Sequence, residues 1–460
     1  MIVFKILLLQ SFWFFAVYSH HYYWSWILWP LSLFLILINY KFFKPISLGK
    51  GIFLLCLFII WGIVQDSILT SFNIISTENS LIWLNSLWVI FFAYYGDILN
   101  KFKKVNTYLL GIIGAIGGLF SYFGGCRLAD IQINNIEAFM LVVGFSWGLF
   151  FPVTIKLFYN NSWWNRLLDK SVLFSFDKSG FLRHSKEFKD DFNDLGSKKT
   201  ILVTGGTGGI GRNLVESLIK FDQSVYFTGR NEALGEEVAN LGSHFFKLDM
   251  IDWKLIDSFC DNCPSFDSVI LNAGGMPESI EHNEFGVETQ AASQLFGHFY
   301  LIDSLRKKGK LNQGCSIVWV SSGGMYLKQL DLTNLISPSP YDKVDTYANV
   351  KRAQVTFVEE LAKSNEWSDF KVTSMHPGWV ATPGIKEALP GFYKFTENRL
   401  RSTSEGADTI LWLSLTKLEI ESGKFYFDRK VVSPYLSKKY IPNSGDRKKL
   451  VELIKKYQIS

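Results

Sequence analysis

The chain has 460 residues, of which 48% are hydrophobic and 16% aromatic, including 40 Phe and 15 Trp. This length predicts two domains, and the apolar excess predicts that one of them is embedded in a lipid bilayer. The net charge is only +5, and no Lys/Arg tract is interleaved with aromatic residues, which argues against a nucleic-acid partner. Five scattered cysteines exclude a disulfide framework and favour a reducing compartment.

Apolar runs separated by short polar breaks fill the first 159 residues. Each run is long enough, or nearly so, to cross roughly 30 Å of hydrocarbon as a helix. We therefore predict an all-α transmembrane bundle of six helices, at residues 2–19, 23–42, 51–70, 81–96, 108–124 and 138–158. Bulky residues rather than a small-residue cleavage site follow the first run, so we expect it to remain as an anchor.

The short loops of this region differ in their basic residues. Those after the second and fourth spans carry Lys41, Lys44, Lys50, Lys101, Lys103 and Lys104, whereas the alternate loops contain only Arg127. Because basic loops resist translocation, both ends of the chain are predicted to be cytoplasmic.

Two isolated features have both a functional and an ordinary interpretation. Asp66 is an ionisable residue in the third span, which is costly and marks a functional candidate. Ser67 and Asn73 follow closely, however, so we favour the interpretation that the span ends there and Asp66 lies near the outer interface. Cys260 and Cys263 form a C-x-x-C pair without a second ligand pair, so we interpret them as incidental thiols and predict no metal site.

Residues 160–199 form a predicted juxtamembrane connector, because no further span-length apolar run occurs there. Trp163 and Trp164 suit a membrane interface. The stretch 176–181 is expected to be ordered against the following domain and not to be a free linker.

From residue 200 onward, short apolar strands alternate with helical segments. The strand 201–203 runs into a T-G-x-x-x-G-x-G turn, and a helix is predicted from Arg212. The turn supplies Thr204, Gly205, Gly209, Ile210 and Gly211. Glycines allow the backbone to approach a pyrophosphate that binds the amides at the helix N-terminus. The domain at 200–460 is therefore predicted to be an α/β Rossmann fold with a doubly wound parallel sheet that binds a dinucleotide.

Residues after the next strands indicate how the dinucleotide is held. Arg230 follows the second strand where an NAD enzyme often places an acidic residue, which favours NADP(H), with NAD less favoured. The alternative is that Arg230 is a solvated loop cation and that Glu232 contacts the ribose. Residues 248–250 are predicted to close the third strand, with the Asp249 carboxylate positioned for the adenine ring. The fourth strand is followed by small residues that let the cofactor pass closely, namely Asn272, Ala273 and Gly274.

A second cluster has the composition of a proton-transfer site. Ser321 and Ser322 follow an apolar strand at 316–320, and Tyr347 lies four residues before Lys351, which places both on one face of a helix. The Lys351 ammonium is expected to bind the nicotinamide ribose and to lower the pKa of Tyr347, making it a general acid. Ser322 would stabilise the charge that develops on a carbonyl oxygen.

In combination these motifs resemble the short-chain dehydrogenase/reductase family, and the resemblance covers essentially everything from Thr200 onward. It implies cofactor contacts at Gly205, Gly209, Gly211, Asp249 and Asn272, catalysis by Ser322, Tyr347 and Lys351, and a nicotinamide clamp at Pro377 and Gly378 with Thr382. The family's catalytic serine directly precedes the short residues that leave the strand, which favours Ser322 over Ser321.

One position departs from the family pattern. Where the family usually has an asparagine that helps to route protons through water to the lysine, this chain has Gln294. The amide is retained but displaced by one methylene, so the relay is expected to be slower, altered or unnecessary. His298 and His376 are interpreted as structural residues.

Finer similarities narrow the resemblance. The stretches 321–325, 375–379 and 404–409 are similar to a subgroup typified by dehydrogenase/reductase member twelve and its bacterial relatives. That subgroup is similar to the retinol-dehydrogenase-like branch, which implies apolar carbonyl and alcohol substrates. The stretches 83–88 and 114–122 resemble a small bacterial integral-membrane family of unknown function.

The sequence thus predicts a membrane-anchored, multi-pass NADP(H)-dependent oxidoreductase with a cytoplasmic catalytic domain. Its expected partners are a hydrophobic small-molecule substrate and the lipid bilayer, with a homo-oligomer left open. Residues 385–400 are interpreted either as a substrate lid or as an ordinary packed helix pair. The alternative functions are an NADP(H)-binding redox sensor or scaffold that regulates the membrane domain, for which Gln294 is the support, and a membrane module that channels substrate.

Overall fold

A computed structural model describes residues 2–21, 25–43, 48–76, 84, 86–89, 91–92, 102–159, 162–189, 192 and 197–457. The chain divides into two compact units, Met1–Leu167 and Leu168–Ser460. The predicted connector at 160–199 is thus shared between the units, and most of it belongs to the second.

The first unit is mainly helical. Its helices are Ile2–His21, Leu28–Phe43, Leu48–Ser71, Thr107–Leu128, Ile136–Tyr159 and Ser162–Asp169, with a 3-10 turn at Ser25–Ile27. A short antiparallel pair, β1 (Ile75–Ser76) and β2 (Gln132–Ile133), joins two of the loops.

Three of these helices are long and apolar enough to cross a membrane: Leu48–Ser71, Thr107–Leu128 and Ile136–Tyr159. The six predicted spans are therefore confirmed only in part. Among the described residues, the first two spans contain shorter apolar stretches, Leu7–Ser19 and Leu28–Leu37. The predicted span at 81–96 lies largely outside the described residues.

Small residues allow the apolar helices of this unit to approach closely. A Cβ atom at Gly118 would lie 2.2 Å from the ring of Trp147, and one at Gly114 would lie 2.5 Å from the Trp147 carbonyl oxygen.

Asp66 lies within the helix Leu48–Ser71, is buried, and accepts a hydrogen bond of 2.9 Å from the Tyr122 hydroxyl. Its carboxyl group is thus packed inside the bundle and is not exposed at a helix end.

The second unit contains an eight-stranded sheet. Its strands are β3 (Thr200–Thr204), β4 (Ser224–Gly229), β5 (His244–Lys247), β6 (Phe266–Leu271), β7 (Leu311–Val320), β8 (Lys371–Met375), β9 (Phe425–Phe427) and β10 (Lys430–Val431). The spatial order is β10-β9-β8-β7-β6-β3-β4-β5, and all neighbours are parallel except β10 and β9. The strand β5 ends at Lys247, so Asp249 follows the strand and does not lie within it.

Helices cover both faces of this sheet. They are Gly209–Lys220, Glu232–Ala239, Trp253–Asn262, Thr289–Ala291 continuing through a π-helical turn Ala292–Gly297 into His298–Lys307, Lys343–Leu361, Pro383–Ala388, Pro390–Thr396, Thr403–Leu415 and Ser444–Lys456. Consecutive residues of a strand point to opposite faces, and both faces are apolar here: Leu202 joins one core cluster, whereas Ile201 and Val203 join the other. The predicted doubly wound parallel sheet is confirmed.

The strand order locates the site. Because β3 lies between β4 and β6, the chain reverses its winding direction at β3. In such sheets, ligands bind in the crevice at the carboxyl ends of the strands beside this reversal. The predicted glycine turn follows β3 at that edge.

Candidate active site

The glycine turn brings two loops into close backbone contact. Gly205 has a φ of +70°, and a Cβ atom there would lie 2.8 Å from the Cα of Ala273. A Cβ atom at Gly211 would lie 2.0 Å from the Gly205 carbonyl oxygen. Only glycine fits these two positions, so the turn after β3 packs directly on the segment that follows β6.

Thr204 holds these two strand ends together. Its buried hydroxyl accepts hydrogen bonds from the N–H groups of Asn272 (2.9 Å) and Ala273 (3.0 Å). In return, the Asn272 amide donates to the carbonyl oxygens of Thr204 (3.1 Å) and Gly205 (3.3 Å). The two side chains therefore fix the backbone of the turn, and Ile210 lies in the first turn of the helix that begins there.

Charged residues gather at the ends of β4 and β5. Arg230 is 78% exposed, and its guanidinium lies 3.9 Å from the Asp249 carboxylate. Glu232, the alternative ribose ligand, instead pairs with Lys247 at 2.9 Å. The Lys247 ammonium holds the pKa of Glu232 below its ordinary value through this hydrogen bond.

The two serines after β7 have different environments. Ser321 is buried, and its hydroxyl donates to the Lys351 carbonyl oxygen at 3.0 Å. Ser322 is only partly buried; its hydroxyl accepts a 3.3 Å hydrogen bond from Gly324 N–H and lies beside the Tyr347 phenol. The structure therefore places Ser322, and not Ser321, next to the tyrosine.

Tyr347 and Lys351 lie one turn apart on the helix Lys343–Leu361. The Lys351 ammonium lies 5.3 Å from the centre of the Tyr347 ring and donates to the Val320 carbonyl oxygen at 2.9 Å. Burial lowers the pKa of Lys351 to about 7. Burial also raises the pKa of Tyr347, and a hydrogen bond with Ser322 opposes this rise.

The expected lowering of the Tyr347 pKa by Lys351 is therefore not what this geometry gives. The ammonium faces the aromatic ring and the Val320 carbonyl, and burial removes part of its charge at neutral pH. Tyr347 stays protonated in this state, which suits a proton donor.

Gln294 lies in the π-helical turn and packs against the loop after β6. Its side-chain Nε2 donates to the Gly275 carbonyl oxygen at 2.8 Å, and a Cβ atom at Gly274 would lie 2.6 Å from its Oε1. Within residues 197–457, this Oε1 atom has no hydrogen-bond partner. The amide thus braces the predicted cofactor loop, because its Nε2 hydrogen bond goes to that loop and not to Lys351.

His298 connects this turn to β3. Its ring nitrogens lie 3.0 Å from the Gln294 carbonyl oxygen and 3.1 Å from the Thr204 hydroxyl. Burial lowers the pKa of His298 to about 3, with the nearby Lys351 charge adding to the effect. A neutral imidazole with a hydrogen-bonding partner at each ring nitrogen fits the predicted structural role of His298.

The segment after β8 reaches the glycine turn. The Thr382 methyl group would lie 3.4 Å from a Cβ atom at Gly209, and the Thr382 hydroxyl caps the helix Pro383–Ala388. His376 Nδ1 accepts a 2.9 Å hydrogen bond from the N–H of Gly378, whose φ is +80°. The predicted clamp residues Pro377, Gly378 and Thr382 therefore lie on one segment at the same edge of the sheet.

The cysteine pair shows no reactive character. Cys260 and Cys263 are buried, and burial raises the pKa of Cys263 to about 11 and that of Cys260 further. In the described part of the chain, no group of three or more His, Cys, Asp or Glu side chains could hold a metal ion.

The stretch 176–181 packs on this domain as expected, but the sequence did not indicate that Phe176 and Arg401 surround the clamp. Phe176 packs on His376 with ring centres 4.2 Å apart, and the buried Arg401 contacts both the connector and Pro377. The residues that Phe176 and Arg401 contact here lie between 24 and 226 positions away in the sequence. No local sequence pattern could therefore reveal these contacts.

The sheet, its glycine turn and the neighbouring serine, tyrosine and lysine define a class of protein, the Rossmann-fold oxidoreductases of the short-chain dehydrogenase/reductase type. Residues 201–418 match the NAD dependent epimerase/dehydratase family. Residues 2–153 match a protein family of unknown function (DUF2878), in agreement with the expected resemblance to an uncharacterised family.

Similarity to individual proteins shows to which family the chain belongs. Human dehydrogenase/reductase SDR family member 12 is 33% identical over 296 residues, covering 61% of this chain and 92% of that protein. Human retinol dehydrogenase 12 is 28% identical and covers 51% of this chain and 80% of that protein; mouse polyprenol dehydrogenase is 28% identical and covers 51% and 77%. The chain belongs to the short-chain dehydrogenase/reductase family.

Proposed function

We propose that the protein is a membrane-anchored, NADP(H)-dependent oxidoreductase that interconverts a carbonyl and an alcohol on a hydrophobic substrate. The observation that carries this proposal is the cluster of Ser322, Tyr347 and Lys351 at the end of β7. The cluster lies on the same sheet edge as the glycine turn. A proton donor, a hydroxyl and a cofactor cradle at one edge are the parts that such a reaction needs.

The residues at this edge fit a dinucleotide. Gly205 and Gly211 leave no space for side chains where the backbones meet, whereas no atom of the described residues lies within 4 Å of a Cβ position at Gly208. The first N–H groups of the helix Gly209–Lys220 have no partners within the helix and suit a pyrophosphate.

The remaining cofactor contacts follow from position. Asp249 would contact the adenosine end, and Asn272, Ala273 and Gly274 would line the middle. Pro377, Gly378 and Thr382 would hold the nicotinamide end. When bound, the cofactor supplies or accepts a hydride.

The charges near Arg230 support NADP(H) over NAD(H). Arg230 and Lys247 place two cations at the ends of β4 and β5, and the Glu232 carboxylate is already paired with Lys247. A 2′-phosphate would find complementary charge here, whereas ribose hydroxyls would compete with Lys247 for Glu232.

The chain's own groups account for the proton transfer. In reduction, the protonated Tyr347 phenol donates its proton to the carbonyl oxygen, while the Ser322 hydroxyl hydrogen-bonds to that oxygen and stabilises its developing charge. The Lys351 ammonium donates a hydrogen bond to the Val320 carbonyl oxygen, which ties the helix that carries Tyr347 to the end of β7. In oxidation the proton moves in the opposite direction.

The substrate is proposed to be apolar. Relatives of this chain are named for retinol and polyprenol, both long apolar alcohols. The helices Pro383–Ala388 and Pro390–Thr396 would form the lid; Phe392 packs edge-on against Trp379 at 5.2 Å, while Phe395 is 84% exposed. An exposed phenylalanine on a lid suits a substrate taken from a lipid phase.

We also propose that the helical unit is an integral membrane domain whose basic loops face the cytoplasm. The three helices of sufficient length and the Lys-rich loops support this topology. Single cysteines introduced at Lys104 and Arg127 in intact cells should differ in labelling by a membrane-impermeant maleimide. Position 127 should react from outside and position 104 only after permeabilisation, and the opposite pattern would reverse the orientation.

The experiment that tests the proposed function uses the purified full-length protein in lipid nanodiscs. NADPH and NADH oxidation are measured against long-chain aldehydes and against retinoid-like and sterol-like ketones, for the wild type and for Tyr347→Phe. We expect turnover with NADPH that falls at least 100-fold in the variant, with cofactor affinity retained. Cofactor binding without turnover of any carbonyl would instead favour the redox-sensor function, with Gln294 as the residue to change to asparagine.

A further inference from the structure

The connector between the two domains packs on the catalytic unit through two short helices, Val172–Phe176 and Lys178–His184. Asp177 joins them: it accepts hydrogen bonds from Gly180 N–H (3.0 Å) and the Ser179 hydroxyl (2.7 Å), and its second oxygen accepts from Arg399 Nε at 2.9 Å. Burial raises the pKa of Asp177, but these hydrogen bonds outweigh burial and hold it below its ordinary value. Arg399 lies near the end of the segment 385–400 and just after the helix Pro390–Thr396, so the connector is fixed to the base of the proposed lid.

Arg401 ties the connector to the proposed clamp. It is only 1% exposed, and it forms two hydrogen bonds with the Asp428 carboxylate, at 2.6 and 2.9 Å. The same guanidinium donates to the carbonyl oxygens of Ser175 (3.0 Å), Phe176 (3.0 Å) and Pro377 (3.4 Å). A buried guanidinium requires such a complete set of acceptors, so the positions of the connector and Pro377 are coupled.

His184 completes the attachment from the second connector helix. Its ring nitrogens lie 2.6 Å from Asp428 and 3.0 Å from Asp169. Burial lowers the pKa of His184, but the two carboxylates outweigh burial and raise it. The Asp428 carboxylate thus pairs both with Arg401 and with His184 of the connector.

Phe176 reaches the two loops that carry the proposed catalytic and clamp residues. A Cβ atom at Gly323, directly after Ser322, would lie 2.9 Å from the Phe176 ring. On its other side, the ring packs on His376, and the Phe176 carbonyl oxygen accepts a 2.9 Å hydrogen bond from Trp379 N–H. One connector side chain therefore fills the space between the serine loop and the clamp.

The conformation of Gly378 depends on both contacts. Its N–H is held by His376, which Phe176 covers, and a Cβ atom at Gly378 would lie 2.4 Å from Arg401 Nε. Its φ of +80° is a conformation that glycine adopts readily. Displacing Phe176 or Arg401 would release the backbone on which the clamp depends.

We propose that Phe176 and Arg401 are positioning residues for the nicotinamide half of the cofactor site, so that the connector completes the active site. This inference rests on the proposed function, since it assumes that Pro377 and Gly378 hold the nicotinamide. It predicts a specific loss: binding of the nicotinamide end weakens, while binding of the adenosine end is unchanged.

The test compares two ligands on the full-length protein in nanodiscs. NADP+ carries both ends, whereas 2′,5′-ADP lacks the nicotinamide ribose; NAD+ and ADP are measured in parallel. We expect Phe176→Ala to weaken NADP+ binding at least 10-fold and to leave 2′,5′-ADP binding within twofold of the wild type. Phe176→Leu, which keeps apolar volume, should restore most of the NADP+ affinity.

Matched controls separate positioning from general damage. Phe188→Ala removes another connector phenylalanine, whose ring contacts Phe181 and Arg429. Arg429→Gln removes another arginine that chelates a carboxylate, here Asp408, and that binds the connector at the Lys189 carbonyl oxygen. Both controls should bind NADP+ as the wild type does, whereas Arg401→Gln should behave like Phe176→Ala.

Other outcomes would overturn the inference. If Phe176→Ala binds both ligands normally, the connector does not position the clamp. If both ligands weaken equally, the substitution damages the fold as a whole, and the positioning role is refuted. A wild-type protein that binds none of the four ligands would refute the proposed function itself, which is a distinct result.

Discussion

Replacing Lys351 by methionine should stabilise the cofactor-free protein while it abolishes turnover. Lys351 is 3% exposed, and burial lowers its pKa from 10.5 to about 7. At pH 7 this shift destabilises the folded state by about 4 kcal/mol relative to a neutral side chain. Losing the hydrogen bond to the Val320 carbonyl oxygen destabilises the folded variant by about 1 kcal/mol. The expected net stabilisation is about 3 kcal/mol.

The sign of the pH dependence follows from the same shift. Between pH 7 and 10.5 the unfolded chain binds more protons at Lys351 than the folded chain, so the wild type becomes more stable as pH rises. The advantage of Lys351→Met should therefore be largest below pH 7. It should fall to about 1 kcal/mol near pH 9.

Hydrogen exchange of peptides from β6 and β7 reports this stability within the full-length protein. Exchange in Lys351→Met should be about 100-fold slower than in the wild type at pH 7 and about fivefold slower at pH 9. Lys363→Met, at a position that is 65% exposed, serves as the control and should change exchange less than threefold. Equal exchange rates in Lys351→Met and the wild type at pH 7, or a difference that does not vary with pH, would refute the reasoning.

Two further substitutions test the cofactor site, both by fluorescence titration of the full-length protein. Arg230→Ala should weaken NADPH binding roughly 10- to 100-fold and leave NADH binding nearly unchanged. Equal losses of affinity for both nucleotides would mean that Arg230 is a loop cation that does not contact the 2′-phosphate. Gly211→Ala places a Cβ atom 2.0 Å from the Gly205 carbonyl oxygen and should weaken cofactor binding about 100-fold. The control Gly208→Ala, whose Cβ atom would contact none of the described residues, should fold with wild-type stability.

The parts of the site that the sequence predicted are those that local chemistry confines to a few consecutive residues. A backbone that must approach a neighbouring loop requires glycine at Gly205 and Gly211, and the structure shows the close contacts. Tyr347 and Lys351 share a helix face because of their spacing. Apolar runs likewise located β3 to within one residue at each end and the end of β7 at Val320, although β7 begins at Leu311, five residues before the predicted strand.

Spacing alone could not give the direction of each group or its burial. The Lys351 ammonium turns toward the Val320 carbonyl, and desolvation rather than ion pairing sets the pKa of Tyr347. In the same way, the spacing did not indicate that Asp66 is buried against Tyr122. Both points concern three-dimensional surroundings that a one-dimensional pattern does not contain.

The contacts of the connector bear on where the catalytic domain begins. The match to human dehydrogenase/reductase SDR family member 12 covers 61% of this chain, about 280 residues, which is more than the chain holds from Thr200 onward. Without the connector, Arg401 would lose its acceptors at Ser175 and Phe176, and Asp428 would lose His184. Each hydrogen bond to a charged group typically contributes about 1.5–3 kcal/mol. The functional domain should therefore begin before Asp169, and a fragment that starts at Thr200 should be unstable even though it contains every motif of the family.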